Sequence, residues 1–519
     1  MRKPLFLFAF ALFLCAHSAR SATVQHAGAH QRRHVLEFDA GWPGYARDQS
    51  HNASSPAPSQ PLHAIHWQTP VDLNPQYSSG ELLIHYGSPL ITVNGTIIVT
   101  VKTGAGSGFR VEGHQAGTGT TLWMQSTDYI LPTHNWTPSV GSTLTPFNVL
   151  ATPGAGATTY LRATPDAVSG TVTQVAFYGI ANYIANPSSF NNHVLIITPI
   201  TSDAGGNLYF GFMTTGTGVP LSLQSGIARI SSAGVGTWVA AHTAANDGSI
   251  SRPVYNCAPA LSPDGTKLYI AVTDNSSSFF GNGYLLELDS TTLSTLGRVR
   301  LKDVRTPAND AYLPDDGTAT PCVGPDGDVY FGVLDNSTPA NNSRGWMLHF
   351  DAALTQTKLA GAFGWDDTGT IVPASAVPSY SGPSSYLLLT KYNNYCGTTT
   401  GNGHNKVAIL DPNVSFTEPV SGLTLMKEIL TVMGPTPDPG CGGGVKEWCI
   451  NTAAVDPATK SALVNNEDGK LYRWSFVTNT LTETVTLTSG LGEAYTPTLV
   501  GPDGVVYAIN NAILFAVGN

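Results

Sequence analysis

A short segment recurs along the chain, and this internal repetition constrains the fold more than any other feature of the sequence. The segment reads LSPDGTKLYIAVTD from Leu261, VGPDGDVYFGVLD from Val323 and VGPDGVVYAIN from Val500. Looser copies begin at Ile91, Ile200, Val377 and Ala454, and a degenerate copy begins at Thr145. The clearest copies have two alternating apolar stretches around a turn with Asp-Gly or Asn-Gly, in which Gly accepts the positive φ of a tight hairpin. The sequence therefore predicts a series of β-hairpins.

A further apolar stretch follows several hairpins and completes a larger unit. It reads GYLLELDSTTLSTL from Gly283, GWMLHFDAALTQTKL from Gly345 and KVAILDPNVSF from Lys406. Each stretch contains an Asp-bearing turn, so the unit has four antiparallel strands over roughly 45 to 65 residues, which is typical of a propeller blade. The predicted fold class is all-β, a β-propeller of four-stranded antiparallel blades.

The number of repeats predicts eight blades. Their expected starts lie near Ser88, Thr143, Thr198, Ala258, Pro321, Ala376, Ala453 and Pro497. Seven blades remain the alternative if the degenerate copy near Thr145 is an insertion. The last start leaves too few residues for four strands of ordinary length. Residues 62–71, LHAIHWQTPV, alternate like a strand, and we expect them to supply the missing outermost strand and close the ring.

The N-terminus has the pattern of an export signal. Arg2 and Lys3 precede an apolar run over residues 5–16, and small residues follow it. This run is too short to span a bilayer, and we expect no transmembrane segment. The predicted organisation is a signal peptide at 1–22, an N-terminal tail at 23–61 and a single propeller domain at 62–519. The mature protein is expected to be secreted, either extracellular or periplasmic.

Composition and charge exclude some partners. Hydrophobic residues make up 42% of the chain and charged residues 12%, which is enough apolar material for a large core. The net charge is −10, and no run of Lys or Arg follows the N-terminus, so nucleic-acid binding is not expected. A closed ring without heptads favours a monomer.

Five cysteines remain after the predicted leader, so at most two disulfides can form and one thiol is left over. They are Cys257, Cys322, Cys396, Cys441 and Cys449. Cys441 with Cys449 could close a Gly-rich loop, and Cys257 with Cys322 could join neighbouring blades, but the connectivity is open. No pair has the CxxC spacing of a zinc site, and no metal site is predicted.

The residues just before each blade start are expected to surround the mouth of the central channel, which is a natural concave site. Five of them are candidate catalytic residues, because His and Tyr exchange protons and Arg neutralises a carboxylate: His85, Tyr86, His193, Arg252 and Tyr255. Seven others are candidate ligand-binding residues: Trp136, Asn192, Asn256, Glu447, Trp448, Glu493 and Tyr495. The alternative is that these groups satisfy backbone polar atoms at strand ends or face solvent. Residues 391–406, rich in aromatic and amide side chains, are either a structural connection or a binding loop.

Two stretches resemble the PQQ-like, quinoprotein-type propeller repeat. The tail reads GWPGYARDQSHNASSPAP, and the matching positions are Trp42, Pro43, Arg47, Asp48, His51 and Ser54. The first blade ends FRVEGHQAGTGTTLW, which approximates the blade ending of that family at Ala116, Gly117, Thr118, Gly119 and Trp123. The resemblance implies a propeller fold. In the dehydrogenases of the family it also implies PQQ over the central axis, calcium held by acidic and amide residues, and a disulfide between adjacent cysteines. This chain has no adjacent cysteine pair, and its Trp motifs are sparse.

Three functions are compatible with these residues. The first is a secreted propeller that binds an extracellular polysaccharide or protein at its channel mouth. The second is a polysaccharide-degrading enzyme of the lyase type that uses the His, Tyr and Arg residues of the mouth. The third is a quinoprotein-type oxidoreductase, for which the resemblance implies PQQ and calcium. The first is the main prediction, so no cofactor is predicted and catalysis is left open.

Overall fold

The structure is a computed structural model. It describes residues 41–519 except 79, 133–140, 275–279, 315–316, 318, 399, 451 and 491–494. The chain divides into two compact units, Met1–Leu36 and Glu37–Asn519, and all described residues belong to the second unit.

The second unit forms an eight-bladed β-propeller of four-stranded antiparallel blades, as predicted, except that the fourth position of blade 5 is occupied only by isolated bridges. From the channel outward, the strands of blades 1 to 4 are as follows: Leu90–Ile91, Thr96–Lys102, Phe109–Gln115 and Thr121–Thr127 in blade 1; Thr143–Leu144, Val149–Pro153, Thr158–Ala163 and Val172–Ala176 in blade 2; Val194–Ile196 with Thr201–Ser202, Leu208–Thr214, Gly226–Ile230 and Gly236–Ala240 in blade 3; Arg252–Pro253 with Ala260–Leu261, Lys267–Thr273, Gly283–Asp289 and Thr295–Arg300 in blade 4. The degenerate copy near Thr145 is therefore a complete blade, which decides for eight blades over seven.

Blades 5 to 8 follow the same order. Their strands are as follows: Cys322–Val323, Val329–Val333 and Trp346–Phe350 in blade 5; Thr370–Pro373, Tyr386–Tyr392, Lys406–Thr417 and Thr424–Met433 in blade 6; Ala454–Asp456, Ser461–Asn466, Lys470–Ser475 and Thr480–Thr486 in blade 7; Leu499–Val500, Val506–Asn510, Ile513–Gly518 and Ala64–Pro70 in blade 8. The outer edge of blade 5 is irregular, because Thr357 and Gly361 pair with its third strand only through isolated bridges.

Few other elements lie outside the blades in the described part of the chain. They are the paired strands Tyr77–Ser78 and Glu81–Leu82, the paired strands Phe280–Gly281 and Leu313–Pro314, the helices α1 (Ile180–Ala185), α2 (Pro187–His193) and α3 (Ala241–Ala245), and 3-10 turns at Ala155–Ala157, Pro220–Ser222 and Ala374–Ala376. No described helix is long and apolar enough to cross a membrane.

The core lies between neighbouring blades, where the apolar faces of adjacent sheets pack. One cluster joins Ile270 and Leu286 of blade 4 to Phe331 and Leu348 of blade 5, and all four side chains are buried. Tyrosine hydroxyls also bond across blades. The hydroxyls of Tyr330 and Tyr386 are 2.7 Å apart, between blades 5 and 6. The ring is thus held by repeated contacts between blades, each of which excludes water from one sheet face.

The ring closes through the N-terminal strand, as predicted. Ala64–Pro70 pairs antiparallel with Ile513–Gly518 and so brings the start of the propeller to its end. Trp67 on this strand lies against Tyr507 of blade 8, and its indole nitrogen donates to the carbonyl of Ala116 in blade 1 at 2.5 Å. Gly119 lies so close to the indole that an added Cβ would be 2.6 Å from it. Trp67 therefore joins the last blade to the first.

The predicted start of blade 6 is wrong. We expected it near Ala376, but the innermost strand is Thr370–Pro373. The first turn of this blade is a 3-10 turn at Ala374–Ala376 followed by a loop to residue 385, and it has no tight Asp-Gly hairpin. The repeat that begins at Val377 therefore covers the first turn and the second strand of the blade, and it excludes the innermost strand and the residues before it.

Residues 42–60, here called the axial segment, run along the innermost strands around the ring. Trp42 exchanges two backbone hydrogen bonds with Ile91 of blade 1, at 2.8 and 2.9 Å, and the carbonyl of Pro43 accepts from Leu144 of blade 2. The next contacts follow in chain order. The carbonyls of Gln49, Ser50, Asn52 and Ala53 accept from Leu261, Val323, Ile371 and Val455 of blades 4 to 7, and Gln60 donates to Gly504 of blade 8.

Close packing holds the axial segment in a strained backbone. Ala46, Arg47, His51 and Ala53 all have positive φ, between 45° and 80°, which costs free energy in any residue except Gly. Trp42, Ala46 and Ala53 are fully buried in a cluster that also contains residues of blades 1, 7 and 8. The sequence assigned 42–60 to a tail, and its structural role was not foreseen.

We predict that Trp67→Ala destabilises the protein by about 3–5 kcal/mol, because it leaves a cavity between the first and last blades. Met124→Ala, a truncation of an exposed side chain on the outer strand of blade 1, is the control and should change stability by less than about 0.5 kcal/mol. Urea denaturation measures both. Equal stabilities for the two variants would contradict the role of Trp67 in closing the ring.

A second prediction concerns pH and the axial segment. Burial lowers the pKa of His51 to about 4 from its usual 6.5, so the unfolded chain takes up a proton between these pH values and the folded protein does not. The stability of the protein should therefore fall by up to about 3 kcal/mol from this residue as the pH drops from 6.5 to 4. His51→Gln should lose this part of the pH dependence, whereas His63→Gln, at an exposed position, should keep it. An unchanged slope in His51→Gln would contradict the buried neutral imidazole.

Candidate functional site

The side chain of Tyr45 lies among threonines at the inner end of the channel. Its hydroxyl is 3.2 Å from Oγ1 of Thr368 and also contacts Thr320 and Thr452. These threonines come just before the innermost strands of blades 5, 6 and 7. Burial raises the pKa of Tyr45 well above its usual value, so the hydroxyl stays protonated. Tyr45 therefore forms part of the floor of the channel mouth.

His51 lies beside Tyr45 and is a neutral imidazole. Its Nδ1 is 2.8 Å from the carbonyl of Pro321, which can only accept, so Nδ1 carries the proton and donates. The two rings meet edge to face with centroids 5.3 Å apart. Nε2 is buried and has no hydrogen-bond partner among the described residues. An acceptor lone pair is therefore left open near the axis.

Two acids and a lysine form the most strongly charged buried group near the axis, which we call the acid–lysine cluster: Asp366, Asp367 and Lys391. The acids come just before the innermost strand of blade 6, and Lys391 lies on its second strand. The Lys391 ammonium pairs with the carboxylate of Asp366, and all three side chains are almost inaccessible to solvent. A buried pair of this kind is maintained only if its charges are well compensated.

Burial sets the protonation of the cluster. It raises the pKa of Asp367 to about 8, although Lys391 opposes the shift, and Oδ2 of Asp367 has no hydrogen-bond partner within the described ranges. Burial alone would lower the pKa of Lys391, but the charges of Asp366, Cys449 and Asp367 outweigh it, and this pKa is raised. The cluster thus holds a charged lysine beside a carboxyl group that exchanges its proton near neutral pH.

Aromatic side chains from neighbouring blades surround Lys391. Its ammonium is 5.7 Å from the ring centroid of Tyr495, before blade 8, and 5.8 Å from that of Phe363. Tyr395 lies nearby, and burial together with Glu447 and Asp366 raises its pKa. The cluster therefore lies near side chains from blade 6 and from the segments that precede blades 6, 7 and 8.

A disulfide fixes the loops on this side of the ring. Cys396 bonds to Cys441 with a Cα–Cα distance of 5.9 Å, which ties the loop after Tyr386–Tyr392 to the loop after Thr424–Met433. The possible pairing of Cys441 with Cys449 is therefore wrong. The possible pairing of Cys257 with Cys322 is also wrong, because Cys257 points into its own blade, where its sulfur accepts from the amide of Ala271 at 3.4 Å.

The predicted catalytic candidates are mostly buried. His85 and Tyr86 are almost inaccessible, as are Arg252 and Tyr255, whose guanidinium carbon lies 3.9 Å from the ring centroid. His193 is half-buried at the end of α2, and its Nδ1 is 2.7 Å from the carbonyl of Thr215. Arg252 and Tyr255 therefore form a cation–π pair.

The predicted ligand-binding candidates divide into exposed and buried residues. Asn192 is exposed, and Glu447 and Tyr495 are half-buried. Asn256 is buried, and its amide lies 3.5 Å from the carbonyl of Gly317. Trp448 is fully buried in the apolar core between blades 6 and 7, where its backbone bonds to the side chain of Asn393. Trp136 and Glu493 lie outside the described residues.

Sequence analysis missed Tyr45 and the acid–lysine cluster. Asp366 and Asp367 come just before an innermost strand, as all the predicted mouth residues do. They were missed because the predicted start of blade 6 lies after that strand. A signal for Lys391 existed as well, because a lysine within the apolar run YLLLTKY of a central strand is buried only with a partner. Tyr45 lies in the segment that was assigned to the tail.

Solved structures of similar fold include two dehydrogenases. One is a europium-containing methanol dehydrogenase, with a TM-score of 0.52 and 10% identity, over 91% of this chain and 90% of the other. The second is the quinohemoprotein alcohol dehydrogenase from Comamonas testosteroni, with a TM-score of 0.52 and 10% identity, over 92% of this chain and 81% of the other. No protein-family model and no curated protein sequence matches the chain. At this identity the similarity shows the fold alone, and the resemblance to quinoproteins is confirmed at that level.

The residues near the axis do not match the ligand set that PQQ with calcium requires. Calcium takes six to eight oxygen ligands, several of them carboxylates. Asp366 is paired with Lys391, and the described residues contain no group of three or more His, Cys, Asp or Glu side chains that could hold a metal ion. The adjacent cysteine pair of the quinoproteins is absent from the sequence. The described part of the mouth therefore does not provide this site.

We predict opposite effects for two neighbouring substitutions in the cluster. The raised pKa of Asp367 means that wild-type stability falls as the pH rises from about 4 to about 8, because the folded state retains a proton that the unfolded state has lost. Asp367→Asn carries no such proton, so its stability relative to the wild type should rise by more than about 1 kcal/mol between pH 5 and pH 9.

The matched control is Asp366→Asn, which has the same chemistry one residue away. It leaves the Lys391 charge without its partner and should destabilise the protein by about 3–5 kcal/mol. Urea denaturation at several pH values measures both variants. Equal destabilisation of the two at every pH would contradict the assignment of charged and neutral acids in the cluster.

Proposed function

We propose that the protein is an exported binding protein that holds an extracellular polysaccharide at the mouth of its channel. The observation that carries the proposal is the axial segment, whose backbone bonds to the innermost strands of blades 1, 2 and 4 to 8 and so lies close to the axis. The side chain of Tyr45 lies among the threonines that precede blades 5 to 7 and narrows the channel beneath the mouth. We therefore expect a polymer to lie across the mouth and not to pass through the ring.

The accessible side chains near the mouth suit a hydroxyl-rich ligand. Asn192 is exposed, and His193, Glu447 and Tyr495 are half-buried, so amide, imidazole, carboxylate and phenol side chains are at least partly accessible to solvent. The ring of Tyr495 also offers an apolar face. Binding sites typically combine aromatic surface with a few fixed polar groups. The ammonium of Lys391 lies 5.7 Å from the Tyr495 ring centroid.

Export is supported by the disulfide between Cys396 and Cys441. Disulfides persist in oxidising compartments and are rare in the cytosol. This agrees with the apolar run behind Arg2 and Lys3, which predicts a signal peptide. The proposed location is therefore outside the cytoplasm, where polysaccharides are available as ligands.

A polysaccharide lyase is the second candidate, and one observation favours it. The carboxyl group of Asp367 has a pKa of about 8, which suits a general acid or base near neutral pH. Asp367 is buried, so the lyase reaction would require the loops above it to open. Ultraviolet absorbance of unsaturated sugar products distinguishes a lyase from a binding protein, and PQQ-dependent dye reduction would reveal a quinoprotein-type oxidoreductase.

The proposal predicts saturable binding of a polysaccharide without turnover. Calorimetric titration of the purified protein with a panel of acidic and neutral polysaccharides should identify a ligand, and that ligand should raise the melting temperature. Tyr495→Ala should weaken its binding about tenfold, which corresponds to about 1.4 kcal/mol.

Phe147→Ala provides the control, because this exposed aromatic lies in the first turn of blade 2, away from the mouth. Its affinity should equal that of the wild type. If no polysaccharide binds, or if Tyr495→Ala binds as tightly as the wild type, the proposed binding at the mouth is wrong.

A further inference from the structure

A second concave site lies between loops of blades 5 and 6. It has a volume of about 390 Å³, and its lining includes Arg305, Ser337, Pro339, Asn342, Thr400 and Val420. None of its lining residues belongs to the acid–lysine cluster or the axial segment. We call this site the side groove. Its volume is within the range of small-molecule binding sites.

Arg305 is the one charged residue in the described lining of the side groove. Its Nη2 donates to the carbonyl of Ser421 at 3.2 Å, while its Nε is buried and has no acceptor in the described part of the chain. No Asp or Glu belongs to the described lining of the groove. Because Nε is buried, a carboxylate in the groove would bind the Nη end of the guanidinium group, whose planar fork can donate two parallel hydrogen bonds.

The wall of the groove is fixed before any ligand arrives. The amide nitrogen of Asn342 donates to Oδ1 of Asn394 at 2.8 Å and to Oγ1 of Thr400 at 2.9 Å. The backbone amide of Thr400 donates to Oδ1 of Asn342 at 3.1 Å. These bonds join the loop of blade 5 to the loop of blade 6, and the Cys396–Cys441 disulfide restrains the second loop. A site that is already rigid loses less entropy when it binds.

The remaining lining combines hydroxyl groups with apolar surface. Ser337 and Thr400 are exposed, as are Pro339 and Val420 on the same groove. Asn341 also lines it, and its buried Oδ1 accepts no hydrogen bond from any described residue. One cation, several hydroxyl and amide groups and an apolar patch match a sugar acid, which has a carboxylate, hydroxyls and an apolar ring face.

We propose that the side groove binds a uronic acid unit of an acidic polysaccharide, with the sugar carboxylate on Arg305. This inference rests on the proposed function and adds the class of polysaccharide. The polysaccharide that binds at the mouth is then acidic, and the side groove is its second binding site. Two linked contacts on one chain raise the apparent affinity without any change in either site.

Calorimetric titration with an oligogalacturonate tests the inference in low salt. The full-length wild type should bind the free acid and should bind its methyl ester or a neutral maltooligosaccharide at least tenfold more weakly. Arg305→Met should lose at least tenfold in affinity for the free acid. Arg298→Met is the matched control, because Arg298 is exposed on the outer strand of blade 4 and does not line the groove; its affinity should equal that of the wild type.

The outcomes separate the two proposals. The side-groove proposal is wrong if Arg305→Met binds the free acid as tightly as the wild type does. It is also wrong if the wild type binds the methyl ester or the neutral sugar as tightly as the free acid. In those cases the mouth proposal still stands if Tyr495→Ala weakens binding. Loss of affinity in Arg305→Met but not in Tyr495→Ala supports the side groove and overturns the mouth. The melting temperatures of both Arg variants show whether they are folded.

Discussion

The fold depends on the backbone hydrogen bonds that the axial segment forms with the inner edges of the blades. Each blade has an outer strand that faces solvent and an innermost strand whose free edge faces the channel, where unpaired amides and carbonyls are costly if water is excluded. Trp42, Gln49 and Ala53 satisfy such edges in blades 1, 4 and 7, in the order in which the chain passes them. One extended segment therefore links blades that do not touch each other.

This arrangement explains why a strained backbone is tolerated. Left-handed conformations at Arg47 and His51 let the segment change direction as it follows the ring, and the buried contacts of Trp42 offset their cost. The same turn brings Tyr45 and His51 to the floor of the mouth. The segment that completes the inner edges thus also places two aromatic side chains beneath the mouth.

The repeat predicted most of the fold, because a four-stranded blade has a strong local pattern of alternation and turns. Blade number, strand direction and the closing strand around Trp67 all follow from it. The start of blade 6 did not, since its first turn lacks the Asp-Gly signal on which the alignment depended. The site was less predictable for the same reason. Asp367 was missed with that start, and Trp448 was chosen although it lies in the core. Trp42 and His51 were identified as motif residues. Their contacts with distant blades were not predicted, because such contacts leave no pattern in the neighbouring sequence.

Hydrogen exchange of the axial segment tests the central claim most directly, because exchange rates report whether backbone amides are bonded in the folded ring. The amides of Trp42, Ser55 and Gln60 donate to the carbonyls of Ile91, Val455 and Gly504, so the account predicts that peptides covering residues 42–60 are protected as strongly as those of the innermost strands. Exchange of this segment within seconds, while the blades remain protected, would show that its amides are not bonded to the inner strands and would contradict the account.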